Sequence, residues 1–306
     1  MHAIEPFARE AFAAGWASSG GPMTVRVRTA CATAVQLAAE HADDPHVLEA
    51  TLQFGKLEGL WAQLFQRRDD LTDQHSKHVG AAWRAAVTRG VLEHAVRAYQ
   101  RGPLGEADTA TRDDVASATA AVAAALAALP QRPEWTGVRQ AMRDAIAAGR
   151  AEGEAGAQAI AGNDGSGWDA AFQAVYDVLD NDHTLWAEAD TRLRGLLDRA
   201  TRDMGRALAD QATSTTSQDD LVDGLDQAVD GGNAPTFTTD WALGIAFGAG
   251  MLAWLKKHGI AKVSWVTVGD GNVCATCDAN EAGSPYPIDD VPAIPAHPQC
   301  RCIVVS

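Results

Sequence analysis

Four of the five cysteines fall in one late stretch, as Cys274-Ala-Thr-Cys277 and then His297-Pro-Gln-Cys300-Arg301-Cys302. Few sequence features constrain a fold so tightly. A C-x-x-C turn presents two thiolates from one tight loop, and zinc takes four nitrogen or sulfur donors in a tetrahedron. A second half-site, H-x-x-C or C-x-C, follows an excursion carrying Pro285, Pro287, Pro292, Pro295 and Pro298. The pattern predicts one knuckle closing on another across a loop, with a metal supplying rigidity that so small a core lacks. Five donors compete for four positions. This reading assigns three of them to Cys274, Cys277 and Cys300 and leaves His297 and Cys302 competing for the fourth. Arg301 would offset the charge of several thiolates around one divalent ion. Disulfides, or free thiols that merely pack, are the competing readings, and paired motifs at this spacing favour metal.

At 306 residues the chain has room for two domains. A hydrophobic fraction of 46% with 21% charged residues suits a globular core, and the abundance of alanine favours close-packed helices. A net charge of −15 repels phosphate backbones, so contact with DNA has no support from charge. The first residues carry neither a basic nor an apolar signal region, so no secretory signal is expected, and thiols in a reducing compartment bind metal more readily than they pair. The uncharged run Trp241–Leu255 is fifteen residues long, short of the ~20 that span a bilayer. Its Gly244-x-x-x-Gly248 admits a membrane-dimer reading, but a buried helix whose glycines let another helix approach is the simpler one.

Most of the chain reads as helix. Apolar residues recur at three- and four-residue spacing over 23–42 and 47–66, separated by Asp43-Asp44-Pro45. A stretch from 71 to 100 carries Val79, Trp83, Val87, Val91 and Val96 near one stripe, and helices follow over 110–129 and 134–160. Ala161-Gly-Asn-Asp-Gly-Ser-Gly167 reads as a linker, which places a domain boundary at 165/166. Region 1–165 is then an acidic, Ala-rich helical part. Region 166–306 holds helices over 168–258 and a Cys/His unit at 262–306. Within the second region the pattern gives an amphipathic helix at 168–179, a helix from 183 to about 212 capped by Asp182, and a short helix from 221 to 229 started by Ser217. The Gly-rich apolar helix is closed by Lys256-Lys257-His258-Gly259. Lys262–Val268 alternates as a strand, with Ile303–Val305 as its expected partner. The fold class is mainly α, with a short β-strand pair at the metal unit.

Other clusters read as structure. Asp70, Asp73, His75 and His78 at helical spacing suggest a solvated face before a metal site, and Cys31 a small buried residue. Asp180, Asp182 and His183 suggest a capped turn. No nucleophile elbow, phosphate loop or H-E-x-x-H occurs. A catalytic zinc would keep a position open for water beside a carboxylate, for which Asp270 or Asp278 would serve. That zinc-dependent hydrolase or nuclease is the alternative to a closed structural site.

The run Trp265-Val-Thr-Val-Gly-Asp270-Gly-Asn-Val-Cys274-Ala-Thr-Cys277, then Tyr286-Pro287, then His297-Pro298-Gln-Cys300-Arg301-Cys302, resembles the C-terminal signature of phage head morphogenesis proteins of the Mu F type. The tight match covers 265–302, and a looser one reaches back to about Trp168. Thr239-Asp240-Trp241 stands where that family usually carries an Arg-x-x-Glu or Thr-Glu pair. The resemblance implies a non-enzymatic minor head protein, acting in prohead assembly at or near the portal. It implies the portal and/or the major capsid protein as partners, and a place in the virion after assembly in the bacterial cytoplasm. Neither a small-molecule substrate nor a membrane belongs to that picture.

Overall fold

The computed structural model describes residues 45–87, 91, 112–162, 165–211, 234–267, 273–297, 300 and 302–305. Cys31, the helix expected over 23–42, the Ser217 start with its short helix, Asp270 and Arg301 lie outside the described residues. Among the described residues there are seven α-helices and three strands: α1 Pro45–Val87, α2 Arg112–Ala128, α3 Trp135–Gly162, α4 Trp168–Leu179, α5 Thr184–Gln211, α6 Ala234–Lys257, β1 Lys262–Val266, α7 Ala275–Ala282, β2 Tyr286–Pro287 and β3 Ile303–Val305. The fold is mainly helical with one small sheet, as the residue pattern requires.

Two expectations about helix limits change. The breaks anticipated between 66 and 71 do not exist, because Gln66-Arg-Arg-Asp-Asp70 contains no proline or glycine and α1 runs through it. The excursion after Cys277 is not all loop: Ala275–Ala282 is helical, and β2 makes the expected strand pair a three-stranded sheet.

The chain divides into two compact units that do not follow the 165/166 boundary. One takes the described residues up to Asp70, then Gly149–Val178 and everything described from Gly244 onward. The other takes those of Leu71–Ala148 and Leu179–Leu243. Helices α1, α3 and α6 each contribute to both, so the Gly-rich stretch near 165 is a turn inside one unit.

In the second unit, Val79, Trp83, Val87 and Val91 are buried as the stripe predicts, and Trp83 meets Trp135 edge to face at 6.2 Å. Asp182 Oδ1 accepts from the Thr184 N–H at 2.8 Å and from its hydroxyl at 2.7 Å, which is the cap expected for α5. Asp180 takes Arg143 Nη1 at 2.9 Å. These carboxylates therefore serve turn and packing. His75 departs from the solvated face expected of it: it and Ser76 are buried, while Asp73 pairs with Lys77 at the surface.

In the first unit one apolar cluster joins Leu60 and Leu64 of α1, Ala155, Ala157, Ala159 and Ile160 of α3, Trp168, Phe247, Met251 and Leu255 of α6, Trp265 and all of β3. It also contains Cys277, Cys300 and Cys302. The Cys/His segment thus shares its core with the helices and is no separate unit at 262–306. Glycines set its tightest approaches. A Cβ on Gly153 would collide with Phe247 O, and one on Gly250 with Arg150 O, so α3 and α6 touch backbone to backbone. Gly244 and Gly248 do not meet a helix backbone: Gly244 faces the Arg68 side chain and Pro295, and a Cβ on Gly248 would stand 2.7 Å from Ile294 O. No helix among the described residues is long and apolar enough to cross a membrane.

Candidate metal centre

Strand pairing brings the two half-sites together. β1 pairs antiparallel with β3 in the register Ser264↔Val305, Trp265↔Val304, Val266↔Ile303. The chain therefore leaves β1 toward Cys274 at the same end of the ladder where Cys302 enters β3. β2 flanks β1 on its other edge through Lys262↔Pro287 and Val263↔Tyr286. Side chains then fix α7 to the sheet. Trp265 N–H donates to Ser284 Oγ at 2.6 Å, Thr267 Oγ1 to Glu281 Oε2 at 3.1 Å and Tyr286 Oη to Asn280 O at 2.8 Å.

The first knuckle sits at a helix start. Cys274 is the N-cap of α7, its sulfur accepting from the Cys277 N–H at 3.5 Å, and Cys277 lies one turn in, 2% exposed. Free N–H groups and the positive end of the helix dipole favour a thiolate there. The Cys277 N–H, helped by those of Thr276 and by His297, holds the Cys274 thiol below its ordinary value. The second knuckle is a turn in which Cys300 N–H donates to His297 O at 3.1 Å.

All five predicted donors converge. His297 Nε2 lies 3.1 Å from Cys274 Sγ and 3.2 Å from Cys277 Sγ, and Cys277 Sγ lies 3.6 Å from Cys300 Sγ. The donor atoms form two overlapping groups, Cys274–Cys277–His297 and Cys277–Cys300–Cys302, each within 4.8 Å and joined at Cys277. Cys274, Cys277, Cys300 and Cys302 are unbridged. Metal–sulfur bonds of ~2.3 Å and metal–nitrogen bonds of ~2.0–2.1 Å at tetrahedral angles give edges of about 3.8 Å between sulfurs and about 3.6 Å from sulfur to nitrogen. The observed separations fall short of these edges by about half an ångström or less. Buried thiols and an imidazole at such spacing fit a metal ion.

The thiols also share charge unevenly. Hydrogen bonding from Cys302 holds Cys300 down to about 5. Burial pushes Cys277 up to about 12, and donation to Cys300 with burial pushes Cys302 up as well. A divalent cation placed among them would reverse the rise, since coordinated thiols are deprotonated outright. Of the two carboxylates considered as a base, Asp278 is exposed on α7.

One participant escaped the sequence reading. Arg68, 3% exposed on α1, donates from Nη2 to the Cys300 carbonyl at 2.6 Å across 232 positions. A single arginine within Gln66-Arg-Arg-Asp-Asp70 carries no local signal of such a role. No family model, no curated protein and no solved structure matches this chain.

Proposed function

We propose that the protein is a non-catalytic minor head protein of a bacteriophage, acting in prohead assembly at or near the portal, and that its Cys/His centre is a structural zinc site. The observation that carries the reading is the joint occurrence of Trp265, Asp270, Cys274, Cys277 and His297-Pro298-x-Cys300-Arg301-Cys302, in the order of the family it resembles. The convergence of the five donors supports a purpose for those residues that is independent of any enzyme. Thiolates outnumber imidazoles, as in closed structural zinc sites. Burial of Cys277, Cys300 and Cys302 in the apolar cluster suits a ligand set that stabilises a fold, since binding free energy in such sites is folding free energy. The partners on this reading are the portal and/or the major capsid protein, and the location is the virion.

The experiment is complementation of a phage that lacks this gene, scored by counting filled heads. Cys300→Ser should fail, and Asp270→Asn should succeed, because an asparagine oxygen can make the same Asx-type turn contact. A hydrolase using Asp270 as general base would instead lose ~10²–10⁴-fold in rate on that change. Normal heads with Cys300→Ser and failure with Asp270→Asn would overturn the structural reading in favour of the enzyme.

A further inference from the structure

We infer that Arg68 is the positioning residue of the metal centre: its buried guanidinium holds the Cys300 arm in ligating geometry through the Cys300 carbonyl. This inference rests on the metal reading above.

The geometry is specific. A buried guanidinium is costly unless it is hydrogen-bonded and its charge offset. Arg68 is buried, and one of its nitrogens is spent on a backbone carbonyl within the cysteine arm. That carbonyl belongs to one of the candidate ligands, so the contact anchors the backbone at Cys300. The surroundings are shaped to admit the side chain. A Cβ on Gly244 would stand 3.1 Å from Arg68 Nη2 and 3.3 Å from Pro295 Cγ, tighter than ordinary contact. The guanidinium carbon lies 5.6 Å from the centre of the Phe247 ring, within reach of a cation–π attraction.

Charge gives the contact its metal dependence. Three thiolates and a neutral imidazole around a divalent ion leave one negative charge, and four thiolates leave two. A buried anion of this kind is stabilised by a cation that cannot lose its proton, and arginine is that cation. Arg68, held against the Cys300 carbonyl, therefore favours the loaded state with its net negative ligand set. Outer groups that orient ligands typically contribute 10–100-fold to metal affinity.

The test uses the full chain with Co²⁺ as probe, following thiolate-to-cobalt absorption in competition with a chelator. Thermal unfolding is followed with and without the ion. Arg68→Met keeps the apolar stem and removes charge and donors. It should lower Co²⁺ affinity by about 10–100-fold and lower the unfolding midpoint more in the loaded protein than in the metal-free one. Arg68→Lys, which keeps the charge but not the fork, should fall between. Wild-type affinity in Arg68→Met, with equal losses of midpoint loaded and metal-free, would make Arg68 a packing residue and overturn the inference. Should Arg68→Met not fold, Arg68→Lys decides: several-fold weaker Co²⁺ binding supports the role, and unchanged binding overturns it. Failure of the wild-type chain to bind Co²⁺ would instead sink the metal reading itself.

Discussion

The crossing of α3 and α6 offers a sharp test of the packing, through Gly153→Ala. The built methyl would stand 2.9 Å from Phe247 C and 3.0 Å from Met251 N, and closer still to Phe247 O. Carbon contacts are optimal at ~3.5–4.0 Å, so the methyl overlaps these atoms by roughly 0.5–1 Å and meets steric repulsion where it would otherwise find attraction. The obstacle is helix backbone, which cannot rotate aside as a side chain does. Overpacking of this kind costs ~1–3 kcal/mol, and the upper half of the range applies here. Against it stands a gain of ~1 kcal/mol from replacing a mid-helix glycine by alanine. The net expectation is a loss of about 1–2 kcal/mol. Gly195→Ala is the internal control, since it lies exposed in α5 with nothing within 4 Å of the added carbon. It should gain up to ~1 kcal/mol. Urea unfolding followed by circular dichroism, with equal slopes for the three proteins, measures both. If Gly153→Ala were stabilised alongside Gly195→Ala, the backbone-to-backbone crossing would be refuted.

Cys277→Ser should abolish metal binding, because Cys277 is common to both donor groups, whereas Cys274→Ser should weaken it and leave binding measurable. Taking ~10–16 kcal/mol for a structural zinc over four donors gives about 2.5–4 kcal/mol, or ~10²–10³-fold, for Cys274; full metal content in purified Cys277→Ser contradicts this. His75 titrates below its ordinary value, chiefly through burial and then through His78, with Asp144 opposing. Its unfolded form thus binds protons more readily, so stability is present above pH ~6.5 and lost as pH falls toward the depressed folded value. His75→Leu should flatten the loss of urea midpoint between pH 7.5 and 5.5, and an unchanged slope would remove His75 from the account.

Local signals were legible, and long-range ones were not. Trp168–Leu179 is helical over the range its amphipathic pattern marks, and Gly259 ends α6 with a φ of +74° after two lysines, as a C-terminal stop should. The pairing of β1 with β3 followed from alternation and β-branched residues, and with it the meeting of Cys274–Cys277 and His297–Cys302. The helix after Cys274 had a signal that the prolines around it obscured: a capping cysteine, then Ala, Asp and Glu in Ala275–Ala282. The partition into units was illegible because it depends on which faces of α1, α3 and α6 meet. Arg68 was illegible for the same reason. A charged residue on a helix reads as solvated until the segment that buries it is known.

The apolar cluster of the first unit draws on three stretches, with Leu64 beneath Gly156, Gly153 against Phe247 and Arg68 on Cys300. These particular contacts join residues far apart in the chain, so large loops must close before they form. The cysteine segment supplies Trp265, Ile303 and Val304 to that same cluster. It is therefore the keystone, and not an appendage that nucleates by itself around an ion. Until it docks, the faces of α1, α3 and α6 that it covers remain open to water and to other chains. The productive route to the native state is a race between that docking and aggregation, and a metal that traps the docked segment acts by stopping its return.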